Sequence, residues 1–213
     1  MIFNTDRKFM HISIPRTGST QLNILLQHTK HPEPDDHHMM LNRAITLHPE
    51  AAKDDYFKFT FVRNPLDRMV SLYSEFRKNR QRQYSGQVIM DNPLFSEFDK
   101  GNEIDSFRNF CCNFQYTDWV NNIFLRPQSE YILSDNCKMN FIGRFEKLHD
   151  DWYIISERVL GRKISLVDRQ KETHPEAKPR SSNHDYYMNY YDSESLDAVR
   201  SFYKEDFDRF NYE

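Results

Sequence analysis

The sequence predicts an α/β protein built on a P-loop-like parallel sheet flanked by helices. Strand-like and helix-like apolar periodicities alternate along the chain, the pattern of parallel strands joined by helical crossovers. Residues 9–27 and 56–76 each run from an alternating apolar stretch through a short polar turn into i, i+3, i+4 spacing. The first of those turns, Pro15-Arg16-Thr17-Gly18-Ser19-Thr20, carries the small and hydroxylated residues of an anion-binding turn at a helix N-terminus.

Met10, Ile12 and Ile14 alternate on one face of the first strand, and Leu22, Leu25 and Leu26 line one face of the helix after it. Between them Gly18 permits close backbone approach. The N–H groups of the first helical turn and the hydroxyls of Thr17, Ser19 and Thr20 can converge on one anion beside the charge of Arg16. The same residues also read as a plain strand-turn-helix with a Ser or Thr cap. A Walker loop is excluded, because none of Gly18, Gly86, Gly101, Gly143 or Gly161 precedes Lys and then Ser or Thr.

Residues 31–36 are a turn-rich loop, and residues 38–47 are expected to form a short helix closed by Pro49. Residues 56–62 alternate as the second strand. Asn64 then suits an N-cap and Pro65 the first helical position, with Leu66, Met69, Val70, Tyr73 and Phe76 as the buried stripe. Residues 80–101 lack periodicity. Further on, the pattern predicts a helix over 104–114, short strands over 130–133 and 140–142, and helices over 146–160 and 195–210. The last carries Leu196, Val199, Tyr203, Phe207 and Phe210 along one face.

At 213 residues, with no Pro/Gly/Ser-rich linker and no internal repeat, the expectation is a single domain over residues 1–213. A formal charge of −3 argues against general nucleic-acid binding while leaving room for a local basic patch that holds an anionic ligand. Three cysteines, of which Cys111 and Cys112 are adjacent, form neither an even disulfide framework nor a C-x-x-C pair. With no apolar leader, no membrane-length apolar run and no N-x-[ST] acceptor, the expectation is a cytoplasmic protein without a membrane span.

Arg63 follows the second strand, so the usual rule for open α/β sheets brings it to the same ligand-bearing edge as the first turn. Ser71 comes eight residues later, roughly 12 Å along a helix, so one anion reaches both only if Arg63 folds back. The competing reading pairs Arg63 with Asp67 or another carboxylate and leaves Ser71 to pack.

The first turn, taken with Phe59-Thr60-Phe61-Val62-Arg63-Asn64-Pro65-Leu66-Asp67-Arg68-Met69-Val70-Ser71, resembles the two signature segments of the sulfotransferases, particularly their carbohydrate branch. Arg126-Pro127-Gln128-Ser129 and Phe141-Ile142-Gly143-Arg144-Phe145-Glu146-Lys147-Leu148 are similar to later segments of that branch, so the resemblance covers nearly the whole chain. It implies a sulfotransferase-type fold and a co-substrate, 3′-phosphoadenosine 5′-phosphosulfate (PAPS). The resemblance gives the 5′-phosphosulfate to Arg16, Thr17, Gly18, Ser19 and Thr20, and the 3′-phosphate to Arg63 and Ser71. Arg180 and Ser181 resemble a loop that closes on the nucleotide, and they also read as an ordinary polar loop. Arg16 departs from the family's usual Lys. It keeps the charge, but a planar guanidinium is not interchangeable with an ammonium that moves between bridging and leaving oxygens.

Sulfuryl transfer to a hydroxyl removes its proton, a role suited to histidine. Asp36-His37-His38-Met39-Met40 resembles the family stretch whose histidine lies near the acceptor, which implies His38 as base. His37, one position earlier, and exposed loop histidines are the alternatives. Asp35, Asp36, His37 and His38 do not make a metal site, because consecutive residues cannot easily surround one ion, and such enzymes need none. Arg77, Lys78, Arg80 and Arg82 read as a solvated run complementing a helix dipole, or as an attractor of an anionic glycan. The resulting expectation is a PAPS-dependent sulfotransferase with a carbohydrate hydroxyl as acceptor. The alternatives are a non-catalytic nucleotide- or glycan-binding relative, and another phosphate-loop transferase or kinase.

Overall fold

The two alternating stretches become the middle strands of a four-stranded sheet in a computed structural model that describes residues 1–26, 38–79, 97–173 and 184–213. The strands are β1 (Ile2–Asn4), β2 (Phe9–Ile12), β3 (Phe57–Val62) and β4 (Phe141–Arg144), in the order β1-β2-β3-β4. The pairs β2/β3 and β3/β4 are parallel, in registers that set Phe9 opposite Phe57 and Phe59 opposite Phe141. The expected α/β class is observed, with one correction: the sheet is mixed. The short strand β1, which the apolar periodicity does not reveal, pairs antiparallel with β2 and puts Ile2 opposite His11.

The described helices are α1 (Ser19–Leu25), α2 (Leu41–Leu47), α3 (Pro65–Asn79), α4 (Glu103–Asn113), α5 (Gln128–Tyr131), α6 (Leu148–Leu160), α7 (Leu166–Thr173), α8 (Ser193–Phe202) and α9 (Lys204–Phe210). Contacts divide the chain into two compact units, Met1–Arg63 with Pro127–Ser181, and Asn64–Arg126 with Ser182–Glu213.

The first unit holds the sheet. Its core joins Phe9, Phe59 and Phe61 to Leu22 and Leu25 of α1, to Leu26 just after it, and to Leu148, Trp152, Ile155 and Val159 of α6. Each large apolar side chain removed from water here contributes about 1.5–3 kcal/mol. Both faces of β2 and β3 are buried, so the alternation marks two interiors and not an inside and an outside. The polar residues between the apolar ones are therefore satisfied internally. Lys58 Nζ donates to the carbonyls of Ala51 and Lys53 at 3.3 and 3.0 Å, and Thr60 Oγ1 donates to the Ile12 carbonyl at 2.7 Å.

The second unit is helical, with Met69, Tyr73, Phe107, Phe110, Phe114, Val199 and Phe207 in its core. Asn64 caps α3 as expected, accepting the Leu66 N–H at 2.9 Å. Buried polar groups again serve backbone carbonyls: Tyr191 reaches Leu66 at 2.9 Å, Tyr203 reaches Leu125 at 2.6 Å, and the buried Arg68 reaches Phe124 and Arg126 at 2.9 and 3.0 Å.

Two further expectations are corrected. Residues 130–133 form no strand: after Pro127 the chain makes the single helical turn α5, pinned by the Gln128 side chain to the backbone of Arg63. Residues 195–210 form two helices, not one. The break falls at Tyr203 (φ −98°, ψ 23°), whose hydroxyl is tied to Leu125, while the apolar stripe runs on across it.

Candidate functional site

The C-terminal edge of the parallel strands in the first unit carries the turn after β2, Arg63 after β3, and Phe145 after β4. In the turn, Arg16 has φ 68° and Gly18 φ 82°, with no positive φ at Thr17 between them. Such alternation of hand points successive N–H groups toward one concavity, a backbone arrangement that binds anions. A non-glycine residue in the left-handed region costs about 1–2 kcal/mol, so Arg16 is held there by its surroundings. Gly18 is required twice over: by its φ, and because a Cβ there would lie 3.0 Å from Leu148 Cδ2 and 3.4 Å from Phe145 Cδ2.

One part of the expected anion cradle differs. Thr17 Oγ1 donates to the Ile14 carbonyl at 2.9 Å, so its proton closes the turn and is not offered to a ligand. Ser19 is buried at the start of α1 and Thr20 is exposed.

Arg63 is buried, and its Nη1 donates to the Arg16 carbonyl at 3.2 Å. Its guanidinium carbon sits 4.2 Å from the centre of the Phe145 ring, a cation-over-face contact that fixes the head group. Its backbone is clamped in both directions by Gln128, which accepts the Arg63 N–H at 2.9 Å and donates to the Arg63 carbonyl at 2.8 Å. The turn and Arg63 are thus brought side by side within one unit. The Asp67 carboxylate lies 3.5 Å from His184 Nε2. Ser71 is buried on α3 in the second unit.

His38 Nδ1 lies 2.7 Å from the carbonyl of Ser13, two residues before the turn. A carbonyl only accepts, so Nδ1 carries the proton, and in the neutral ring the lone pair is on Nε2. Beneath it, Ser13 Oγ donates to Asn23 Oδ1 at 2.9 Å, and His11 Nδ1 lies 3.2 Å from the same oxygen. His11 is buried and stacked on Phe59 with 4.9 Å between ring centres. This network ties β2 to α1 across the base of the turn.

His37, Asp35, Asp36, Arg80, Arg82, Arg180 and Ser181 lie outside the described residues. Of the basic run, Arg77 pairs with Glu103 at 3.5 Å, the solvated behaviour of an ordinary helix end. Among the described residues no cluster of three or more His, Cys, Asp or Glu could hold a metal ion, and no helix is long and apolar enough to cross a membrane.

Sequence reasoning gave no role to Gln128, Phe145, His11 or Asn23. The first two sit in the later segments of the family resemblance, and that was the signal for them. A polar pair such as His11 and Asn23, one within an apolar strand and the other within an apolar helix stripe, marks a buried network only once the two elements are seen to pack.

No curated protein and no solved structure matches the chain. The family model of the sulfotransferases matches residues 1–213, the whole length, and the chain belongs to the sulfotransferase family.

Proposed function

We propose that the protein transfers the sulfuryl group of PAPS to a hydroxyl of a carbohydrate acceptor. The observation that carries this reading is the bond from Arg63 Nη1 to the Arg16 carbonyl, which joins two anion-binding elements at one strand edge. A donor with anionic groups at two ends calls for such a pair. In this reading the backbone N–H groups of residues 16–19, with the Ser19 and Thr20 hydroxyls and the Arg16 charge, hold the 5′-phosphosulfate. The 3′-phosphate falls to Arg63.

The acceptor oxygen bonds to sulfur as the bond from sulfur to the bridging phosphate oxygen breaks. The acceptor proton must leave and the charge growing on the phosphate must be held. His38 accepts the proton on Nε2, the nitrogen that carries the lone pair of the neutral ring when Nδ1–H is donated to Ser13. Arg16 and the turn amides hold the charge. A carbohydrate acceptor follows the branch that the sequence resembles. A cytoplasmic location belongs to the same proposal and is supported by three cysteines that remain free thiols.

The test is calorimetry with adenosine 3′,5′-bisphosphate against AMP, which lacks the 3′-phosphate. The bisphosphate should bind far more tightly. A charge-assisted hydrogen bond is worth about 1.5–3 kcal/mol, so Arg63→Ala should weaken it roughly 10- to 150-fold while leaving AMP nearly unchanged. Equal affinities for the two nucleotides overturn the reading. Tight nucleotide binding with no sulfate transfer to any glycan would leave a non-catalytic relative.

A further inference from the structure

The second unit carries a groove that the nucleotide chemistry does not use. Phe114 to Tyr116 and Asp118 to Asn121 are short 3₁₀ turns, joined by Thr117, whose hydroxyl donates to the Phe114 carbonyl at 2.9 Å and accepts the Trp119 N–H at 3.3 Å. This tight joint buries Phe114 completely and turns Tyr116, two residues later, outward to 80% exposure. Trp119 is half-buried, its inner edge against Phe76 at 5.9 Å. Tyr116, Thr117, Asp118, Trp119, Asn121 and Asn122 line an open groove of about 810 Å³ together with Glu97. A second hollow of about 310 Å³ shares Tyr116, Thr117 and Glu97 and adds Phe98, Lys100, Asn109 and Asn113.

We propose that this groove is a binding surface for neutral oligosaccharides, which recruits the unsulfated glycan that the transfer reaction modifies. The proposal rests on the carbohydrate reading above. Aromatic rings offer broad apolar faces at low entropic cost, suited to the C–H faces of pyranose rings. Around them stand short amide, hydroxyl and carboxylate groups that donate and accept as sugar hydroxyls require. No aliphatic side chain lines either hollow among the described residues, whereas the core of a protein-protein interface buries apolar side chains. Two connected hollows sharing Tyr116 suit a chain of sugars and not a single ring. The fixed charges select further. Among the described residues Glu97 and Asp118 face the larger groove and no cation lines it, while Lys100 stands at the smaller hollow, so a sulfated chain is repelled from the larger groove where its neutral precursor is accepted. The surface thus favours substrate over product.

The protein contains two tryptophans, Trp119 and the fully buried Trp152, so a ligand in the groove is read by the fluorescence of Trp119. The full chain is titrated to millimolar concentration with cellohexaose, chitohexaose, maltohexaose and laminarihexaose, and with a heparin hexasaccharide. A saturable change is expected with at least one neutral hexasaccharide, and a weaker one with heparin. Tyr116→Ala removes one exposed stacking face without touching the core and should weaken the neutral ligand roughly tenfold. Asn121→Ala should weaken it too, and Tyr153→Ala, an exposed tyrosine of the first unit, should not. No response to any neutral hexasaccharide, an undiminished response in Tyr116→Ala, or tighter binding of heparin overturns the proposal. Calorimetry with adenosine 3′,5′-bisphosphate keeps the two readings apart, since Tyr116→Ala should leave it unchanged. Hexasaccharide binding without bisphosphate binding sinks the transfer reaction and upholds the surface; the reverse result sinks the surface alone.

Discussion

At the scale of single residues, the site depends on which protons are already committed. His38 donates from Nδ1 to Ser13, which leaves Nε2 as the basic atom, and loss of a general base costs about 10²- to 10⁴-fold in rate. His38→Ala should therefore lower turnover by that range with nucleotide affinity nearly intact, as steady-state rates beside calorimetry will show. The wild-type rate should fall on the acid side, where protonation removes the Nε2 lone pair; a flat acid limb would exclude the assignment. Arg16 combines a charge with a left-handed backbone. Arg16→Ala should reduce both affinity and turnover. Arg16→Lys should retain binding and separate charge from guanidinium geometry in kcat. Unchanged turnover in Arg16→Ala would remove the turn from the chemistry.

At the scale of elements, two local features hold the frame. Gly143 in β4 faces Phe61 so closely that an added Cβ would lie 2.6 Å from its Cδ1 and 2.9 Å from Phe141 Cε1. Gly143→Ala must displace that aromatic ladder, and such overpacking costs about 1–3 kcal/mol, measurable as a lower urea midpoint. Helix α8 is fixed by a capping box in which Asp192 accepts the Ser195 N–H at 2.9 Å and Ser195 Oγ accepts the Asp192 N–H at 3.1 Å. Asp192→Ala should cost about 1 kcal/mol. The Ser195 hydroxyl, then its amide, hold the Asp192 carboxyl below the usual carboxylate range. A depressed folded-state value means that this stabilisation is present at neutral pH and is lost as pH falls through the folded-state value. Wild type and Asp192→Ala should therefore converge in stability in strong acid; an unchanged gap there would discount the carboxylate as the cap.

For the molecule as a whole, a ligand that binds only the folded state stabilises it by mass action. Adenosine 3′,5′-bisphosphate at about 100 times its dissociation constant should add about 2.7 kcal/mol and raise the midpoint of thermal unfolding. AMP at the same concentration should raise it little, and Arg63→Ala should abolish most of the difference. The shift should be found by any probe of global unfolding; its absence would mean that the nucleotide does not engage the folded chain.

The sequence by itself determined the α/β class, both strand-turn-helix units, the Asn64 cap and the positions of Arg16 and Arg63, because these are local: periodicity, caps and turn residues act within a few positions. It did not determine that β1 would add an antiparallel edge, that residues 128–131 would coil into a turn, or that residues 195–210 would break at Tyr203. The last two depend on partners far along the chain, Arg63 for Gln128 and Leu125 for Tyr203, and the first rests on a strand of three residues, too short to show a period, whose Ile2 pairs with His11. The tautomer of His38 and the use of the Thr17 proton were decided in the same way, by which carbonyl the fold brings within 3 Å of a side chain. Hydrogen-bond partners of buried polar groups are set by packing, and packing is a property of elements already assembled.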